Sequence, residues 1–189
     1  MILNLEKIIN KKINLNFIKK YKFTNIHQLP KITKIVINTN FNTDLLKNDK
    51  FTKRIYTDLT MLTTQKPFFT KTKKSISNFH LKKNENIGFI CTLRKSKKYY
   101  FLTKFIFFAV SQIKDFLGYS INLFDSYGNL NIGLKEQFVF PEIGFQDINK
   151  IFGLNINFIF QTNNKKINKE FLTLLNLPIY NENNNNNNI

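Results

Sequence analysis

The chain has 189 residues, a length that suits one domain with a sizeable core. Its formal net charge of +17 indicates a polyanionic partner, either nucleic acid or an acidic membrane surface. The single cysteine, Cys91, excludes an internal disulfide and a cysteine-rich metal site. Frequent Phe, Lys, Asn and Ile, all with A/T-rich codons, are typical of an AT-rich genome such as that of an organelle.

The first predicted element is an amphipathic helix over residues 2–21, where Leu5, Ile9, Ile13 and Phe17 recur at four-residue spacing. A basic helix at this place is alternatively an organellar targeting helix. This helix has no Arg and no Ser and leads directly into a strand. We therefore interpret it as part of the mature protein and expect no signal peptide.

Hydrophobic periodicity predicts the later elements. The predicted helix at 96–116 is very apolar, but Lys104 interrupts it, and the remaining apolar run is far shorter than the ~20 residues of a membrane span. It is therefore interpreted as a core helix. The other predicted elements are strands at 31–38 and 154–162, helices at 47–62 and 168–175, and short strands and turns between 118 and 143.

Residues 65–94 are the stretch that suggests function. Aromatic and β-branched residues at its two ends predict strands, and the basic, hydroxyl-rich middle, about residues 71–83, predicts a long basic β-hairpin loop. Residues 47–104 contain 15 Lys or Arg against three Asp or Glu. Because ammonium, guanidinium, hydroxyl and amide groups bind phosphate and sugar oxygens, this pattern favours a polyanionic partner.

We interpret residues 1–180 as a single α+β domain, an antiparallel β-sheet with helices packed on one face. The Asn-rich residues 181–189 are predicted to form a disordered tail. The sequence contains no P-loop, dinucleotide fingerprint, metal cluster or nucleophile–base pair, so we expect no cofactor, no metal and no enzymatic activity.

A series of short motifs follows in unbroken order over residues 1–180. The motifs are Gln28-Leu29-Pro30, Lys34-Ile35-Val36-Ile37-Asn38, Gln65-Lys66-Pro67 with Thr70, Lys74-Ser75-Ile76, Ile87-Gly88, Thr92-Leu93-Arg94, Phe124-Asp125 with Gly128-Asn129, Gly133 with Glu136-Gln137, Phe140-Pro141-Glu142-Ile143, Gly153-Leu154, and the weaker Glu170, Leu174-Leu175 and Pro178. With these motifs the chain resembles the universal large-subunit ribosomal protein five family. The departures are Thr39–Asn42, Thr64 and Lys95 at places where the family usually has glycine, and Leu117 where bacterial relatives have arginine.

The resemblance implies a structural protein of the central protuberance that binds 5S rRNA, large-subunit rRNA or both. It assigns sheet-face contacts with rRNA to Asn38, Gln65 and Thr92, and phosphate contacts to Lys34, Lys66, Thr70 and Arg94. It also implies a loop that faces P-site tRNA and contact with a head protein of the small subunit. The residues of that loop are Lys71, Lys73, Lys74, Ser75, Lys82 and Lys83.

Other readings of single residues stay open. Taken alone, Asn38 and Gln65 are more typical of turns or sheet edges. Phe79 either stacks on a base or packs against its own hairpin. Asp125 is expected to be a turn residue, and Glu136 a surface residue. Cys91 is expected to fill the core, and the isolated His27 and His80 are not expected to bind metal.

Three other classes of protein compete with the ribosomal interpretation. They are a catalytic RNA-processing protein, a basic peripheral membrane protein, and an RNA-binding protein outside the ribosome. Helices that alternate with strands indicate core packing, so we expect no membrane partner. For the compartment, the AT-rich residue usage and bacterial-type pattern favour a mitochondrion, with a plastid as the alternative.

Overall fold

A five-stranded antiparallel sheet forms the centre of the fold, with the strand order β2-β3-β1-β6-β5. The computed structural model describes residue 9 and residues 13–41, 49–79, 81–113, 116–143 and 151–180. A short parallel pair, β4 with β7, lies apart from the main sheet. The strands are β1 Ile32–Asn40, β2 Phe68–Lys71, β3 Asn86–Leu93, β4 Tyr119–Ser120, β5 Leu130–Leu134, β6 Leu154–Phe160 and β7 Ile179–Tyr180.

Helices cover one face of this sheet. They are α1 Asn14–Tyr21, α2 Asp49–Thr63, α3 Lys95–Lys104, α4 Val110–Gln112 and α5 Lys165–Leu174, with a π-helical segment, Phe105–Ala109, joining α3 to α4. The predicted α+β class and antiparallel sheet are therefore confirmed. The predicted helix at 2–21 is confirmed from Asn14, and its first residues, like the predicted tail at 181–189, lie outside the described residues.

The core forms where alternate strand residues meet the helices. On β6 the burial alternates strictly, with Leu154, Ile156, Phe158 and Phe160 buried. The ring of Phe158 lies 5.5 Å from that of Phe105, and Phe160 lies 6.1 Å from Phe171 of α5. Apolar burial of this kind is the main stabilising contribution to folding. The strand period of two residues thus assigns one face of the sheet to the core.

The apolar helix after β3 departs from its prediction. The predicted helix at 96–116 was wrong at its end: regular helix stops at Gln112, and Ile113 is extended, with ψ of 120°. In its middle the backbone widens to a π-helix, in which the Val110 N–H donates to the Phe105 carbonyl oxygen. In this segment Phe105, Ile106 and Ala109 are buried, while Phe107 and Phe108 are exposed.

The last helix starts earlier than predicted because of its cap. The Asn164 side chain accepts hydrogen bonds from the backbone N–H groups of Lys166 (3.0 Å) and Ile167 (3.4 Å). Such capping satisfies N–H groups that have no partner within the helix. Helix α5 therefore begins at Lys165, whereas hydrophobic periodicity alone predicted a start at residue 168. Within the described residues, no helix combines the length and apolar character needed to cross a membrane.

Candidate nucleic-acid interface

The sheet face opposite the core, which is called the open face below, has polar side chains interspersed with four apolar ones. The pairing register places Val36 of β1 beside Thr92 and Asn157, and Asn38 beside Ile90 and Asn155. None of the five strands contains an Asp or Glu. The open face consists of Lys34, Val36 and Asn38 of β1, Phe68 and Thr70 of β2, Gly88, Ile90 and Thr92 of β3, Asn131 and Gly133 of β5, and Asn155, Asn157 and Ile159 of β6.

Two predicted contact residues on this face have unsatisfied polar atoms. Asn38 Oδ1 and Thr70 Oγ1 are both buried, and neither has a hydrogen-bond partner among the described residues. A buried polar atom without a partner destabilises the protein, so native structures rarely retain one. Both residues are half-buried, so a side-chain rotation that turned either oxygen outward would let a ligand on the open face donate to it and remove that penalty.

Gln65 reaches the open face from the loop after α2. Its side-chain Nε2 donates to the Thr92 carbonyl oxygen at 3.3 Å, and its backbone N–H donates to Thr63 Oγ1 at 3.3 Å. Thr64, between them, has φ of 52°, in the left-handed region. This conformation favours glycine, as does that of Lys95, with φ of 51°. Thr64 and Lys95 therefore have a left-handed conformation that favours glycine. Both occupy positions where the resembled family usually has glycine.

Three predicted cations lie on the open face or directly beyond the ends of its strands. Lys34 lies on it and is half-buried, while Lys66 and Arg94 are exposed next to Gln65 and at the end of β3. Of the predicted set, Lys34, Asn38, Thr70 and Thr92 lie on the open face by strand pairing. Gln65 and Lys66 lie in the loop before β2, and Arg94 follows the end of β3.

The predicted tRNA-facing residues lie elsewhere, in and beside residues 72–85, which connect β2 to β3. Thr72 joins the two ends of this connection: its N–H donates to the Glu85 carbonyl oxygen (2.9 Å), and its hydroxyl donates to the Lys82 carbonyl oxygen. Nearer the tip, Ile76 and Leu81 form an isolated antiparallel β-bridge. The side chains of Lys71, Lys73, Lys74, Lys82 and Lys83 are exposed. The six residue steps from Asn86 to Thr92 put about 20 Å of strand between this connection and the Gln65–Thr92 contact.

Ser75 and Phe79, two other residues of this connection, differ in their contacts. The Ser75 hydroxyl oxygen accepts the Lys83 N–H at 3.1 Å, so this predicted contact residue also fixes the backbone. Phe79 is 71% exposed, which keeps a stacking role for it as a prediction. The extension of the connection as a long basic loop away from the domain stays a prediction, and His80 lies outside the described residues.

The remaining candidates are structural. Cys91 is buried on the core face, as predicted, and burial raises the pKa of its thiol. Asp125 is a turn residue whose Oδ1 accepts the N–H groups of Tyr127 (2.9 Å) and Asn129 (2.7 Å). Burial opposes ionisation of Asp125, but the hydrogen bond from the Asn129 side-chain amide and those from backbone N–H groups outweigh it and lower its pKa. Among the described residues, no group of three or more His, Cys, Asp or Glu side chains could hold a metal ion.

The prediction missed three asparagines on the open face, Asn131, Asn155 and Asn157. They occupy alternate strand positions, and Asn157 Nδ2 donates to Asn131 Oδ1 at 2.6 Å. The alternation of Asn with Ile and Phe in β6 was the pattern that could have revealed two of them.

An α+β fold with an apolar sheet face under helices, and an opposite face with several amides and no acidic strand residue, is typical of a nucleic-acid-binding type of protein. Comparisons with known proteins specify the class further. A family described as "Ribosomal protein L5" matches residues 25–82, and one described as "ribosomal L5P family C-terminus" matches residues 86–179.

Individual relatives agree with these matches. "Large ribosomal subunit protein uL5c" of Cyanidium caldarium is 40% identical over 175 residues, which cover 93% of this chain and 96% of the relative. The protein of the same name from Chara vulgaris is 39% identical and covers 94% of each chain. "Large ribosomal subunit protein uL5" of Acholeplasma laidlawii is 38% identical over 92% of this chain and 96% of the relative.

The chain belongs to the L5 family of large-ribosomal-subunit proteins, in its bacterial and organellar type. It is therefore a structural protein of the ribosome and not an enzyme, and the resemblance identified from the sequence motifs is confirmed.

Proposed function

We propose that this protein holds rRNA against its open face in the central protuberance of the large subunit. The rRNA is 5S rRNA, large-subunit rRNA or both. The observation that carries the proposal is the grouping of Asn38, the Gln65–Thr92 contact and the unsatisfied Asn38 Oδ1 on an acid-free face. Amide and hydroxyl groups spaced across neighbouring strands suit the 2′-hydroxyls and base edges of a folded RNA loop.

Cations at the margin of the open face supply the electrostatic part of the binding. Lys34, Lys66 and Arg94 are positioned to meet phosphates, with Thr70 as a neutral donor. Phosphate contacts position an RNA without specifying its sequence. The amides in the middle of the face are therefore the residues that distinguish one RNA from another.

The connection between β2 and β3 has a separate function in this proposal. Its exposed lysines, together with Ser75, face P-site tRNA, and the same region of the protein contacts a head protein of the small subunit. The distance of about 20 Å along β3 from the Gln65–Thr92 contact supports this separation. One body of RNA can then occupy the open face while another meets the connection.

The compartment in this proposal is an organelle. AT-rich residue usage favoured a mitochondrion, which stays a prediction. The relatives named uL5c support the plastid, which was the alternative. Membership of a ribosomal family favours rRNA over the acidic membrane surface that the net charge also allowed.

The first experiment tests the open face. In Gln65→Ala and Thr92→Ala, affinity for a 5S rRNA transcript or a large-subunit rRNA transcript should fall by about 1–3 kcal/mol each, because each change leaves RNA polar groups unpaired. Filter binding at a fixed salt concentration measures this. Thr57→Ala, on the exposed side of α2, is the matched control and should bind normally. Normal affinity of both sheet variants for both transcripts would place the RNA elsewhere.

The second experiment separates the connection from the sheet. A variant with Lys73, Lys74, Lys82 and Lys83 all changed to Ser keeps the open face intact. Its incorporation into large subunits should stay normal, while occupancy of P-site tRNA should fall. If incorporation collapses and tRNA binding by the assembled ribosomes is normal, the connection holds rRNA and the proposed separation is wrong.

A further inference from the structure

The β5–β6 half of the open face contains three asparagines to which the family resemblance assigns no function. Asn155 lies directly beside Asn38 in the pairing of β1 with β6. One row further along, Asn157 lies between Val36 of β1 and Asn131 of β5, and a 2.6 Å hydrogen bond joins the amides of Asn157 and Asn131. The amide surface that begins at Asn38 thus continues across two more strands.

These asparagines are accessible and retain hydrogen-bonding capacity. Asn155 is exposed, and Asn131 and Asn157 are half-buried. Each amide offers two N–H donors and two lone pairs, so the single bond between Asn157 and Asn131 leaves further groups available. Because β5 and β6 contain no acidic residue, nothing within these strands repels an RNA backbone.

Gly133 adds an independent observation on the same half of the face. It is exposed and pairs with Asn155, and a Cβ placed on it would meet only Asn155 Oδ1, at 3.6 Å, an ordinary contact. Its φ is also outside the left-handed region. By contrast, a Cβ on Gly88 would lie 2.1 Å from the Thr39 carbonyl oxygen, so the fold itself requires glycine there.

Neither packing nor backbone conformation therefore explains a glycine at position 133. A glycine inside a strand often marks a place where a ligand approaches the backbone closely. This explanation fits its position beside the three asparagines.

We infer that the RNA-binding surface extends over β6 and β5, where Asn155, Asn157 and Asn131 hydrogen-bond the RNA and Gly133 admits it close to the sheet. The inference rests on the proposed function, since it concerns the same rRNA on the same face. It adds a second set of residues that determine specificity, separate from Asn38, Gln65 and Thr92. The partner is a folded RNA whose 2′-hydroxyls and base edges meet neutral amides.

The test uses the full-length chain and the rRNA transcript that the wild-type protein binds. Gly133→Phe should weaken binding about tenfold, because the ring would hold the RNA away from at least two amides, each worth roughly 0.5–1.5 kcal/mol. Asn155→Ala should weaken binding roughly two- to tenfold. Thr173→Phe adds the same ring to an exposed position of α5, on the core side of the sheet, and should bind normally.

The outcomes distinguish this inference from the proposed function. If Gln65→Ala and Thr92→Ala weaken binding while Gly133→Phe and Asn155→Ala bind normally, the RNA stops at β1 and the inference is wrong. If all four variants bind normally, the open face is not the RNA site and both are wrong. If Gly133→Phe lowers the melting temperature, Asn155→Ala alone decides, because this exposed side chain can be shortened without adding bulk to the sheet.

Discussion

The two faces of the five-stranded sheet are built from alternate residues of the same strands, yet they have opposite chemistry. Towards the helices, Ile37, Phe89 and Phe158 are at most 1% exposed. Towards the other side lie Asn38, Thr92 and amides such as Asn155, without an acidic residue in any of the five strands. A slip of one residue in strand pairing would exchange the two sets. The same alternation therefore specifies both the core and the candidate RNA surface.

The difference between the two faces predicts that substitutions on them affect different properties of the protein. A change on the core face should lower the free energy of unfolding, because it removes buried apolar contacts. A change on the open face should alter RNA affinity and leave the isolated protein stable, because substitutions away from buried contacts usually cost within about 0.5 kcal/mol. Adjacent residues of one strand provide the strictest test.

The largest effect is expected for Phe158→Ala. Phe158 has no exposed surface and its ring packs against Phe105, so we expect a loss of about 3–5 kcal/mol in the free energy of unfolding. Urea denaturation of the isolated protein measures this loss. The matched control is its neighbour Ile159→Ala, on the open face, which should cost much less. Equal losses in the two variants would contradict the division between the faces.

A second prediction compares two asparagines. Asn168 is fully buried; its Nδ2 donates to the carbonyl oxygens of Gly128 (3.0 Å) and Thr162 (2.7 Å), and the Thr162 hydroxyl donates to its Oδ1. Asn168→Ala leaves these partners unsatisfied and should cost about 1–3 kcal/mol. Asn155→Ala on the open face should change stability by less than about 0.5 kcal/mol. Denaturation curves of the two variants test this, and a large loss in Asn155→Ala would show that the open face also stabilises the fold.

The sequence predicted the core face better than the open face, and the reason is physical. Ile, Leu and Phe at period two identify a buried strand side without further information, as in β6. The opposite side of β6 contains Asn155 and Asn157, and asparagine is also typical of turns and caps. In this Asn-rich chain Asn164 is indeed a helix cap, and periodicity could not distinguish it from the asparagines of the open face.

Backbone conformation was the other property that the sequence did not reveal. Thr64 and Lys95 have no intrinsic preference for the left-handed region, so their backbone conformation could not be predicted from residue type. The π-helical turn at Phe105–Ala109 was likewise unpredictable, because its apolar residues suit a regular helix equally well.

A polar contact between α1 and α5 is expected to contribute less to stability than Phe158 or Asn168 does. Glu170 of α5 accepts hydrogen bonds from Lys20 Nζ (2.5 Å) and from the Tyr21 hydroxyl (2.6 Å), both at the end of α1. Burial raises the pKa of Glu170, but the hydrogen bonds and the charge of Lys20 outweigh burial and hold the pKa below its usual value. This contact joins α1 to α5 beside the stacked rings of Phe17 and Tyr21.

Because the pKa of Glu170 is lower in the folded than in the unfolded state, its ionised form stabilises the fold above the ordinary glutamate pKa of about 4.3. That stabilisation should disappear as the pH falls through the folded-state pKa. Glu170→Gln should therefore melt slightly below the wild-type protein at neutral pH, and the two melting temperatures should converge in acid. Comparing the two proteins isolates Glu170, since every other carboxyl group titrates in both. A difference in melting temperature that stays constant from neutral to acid pH would show that the contact between α1 and α5 does not depend on this charge.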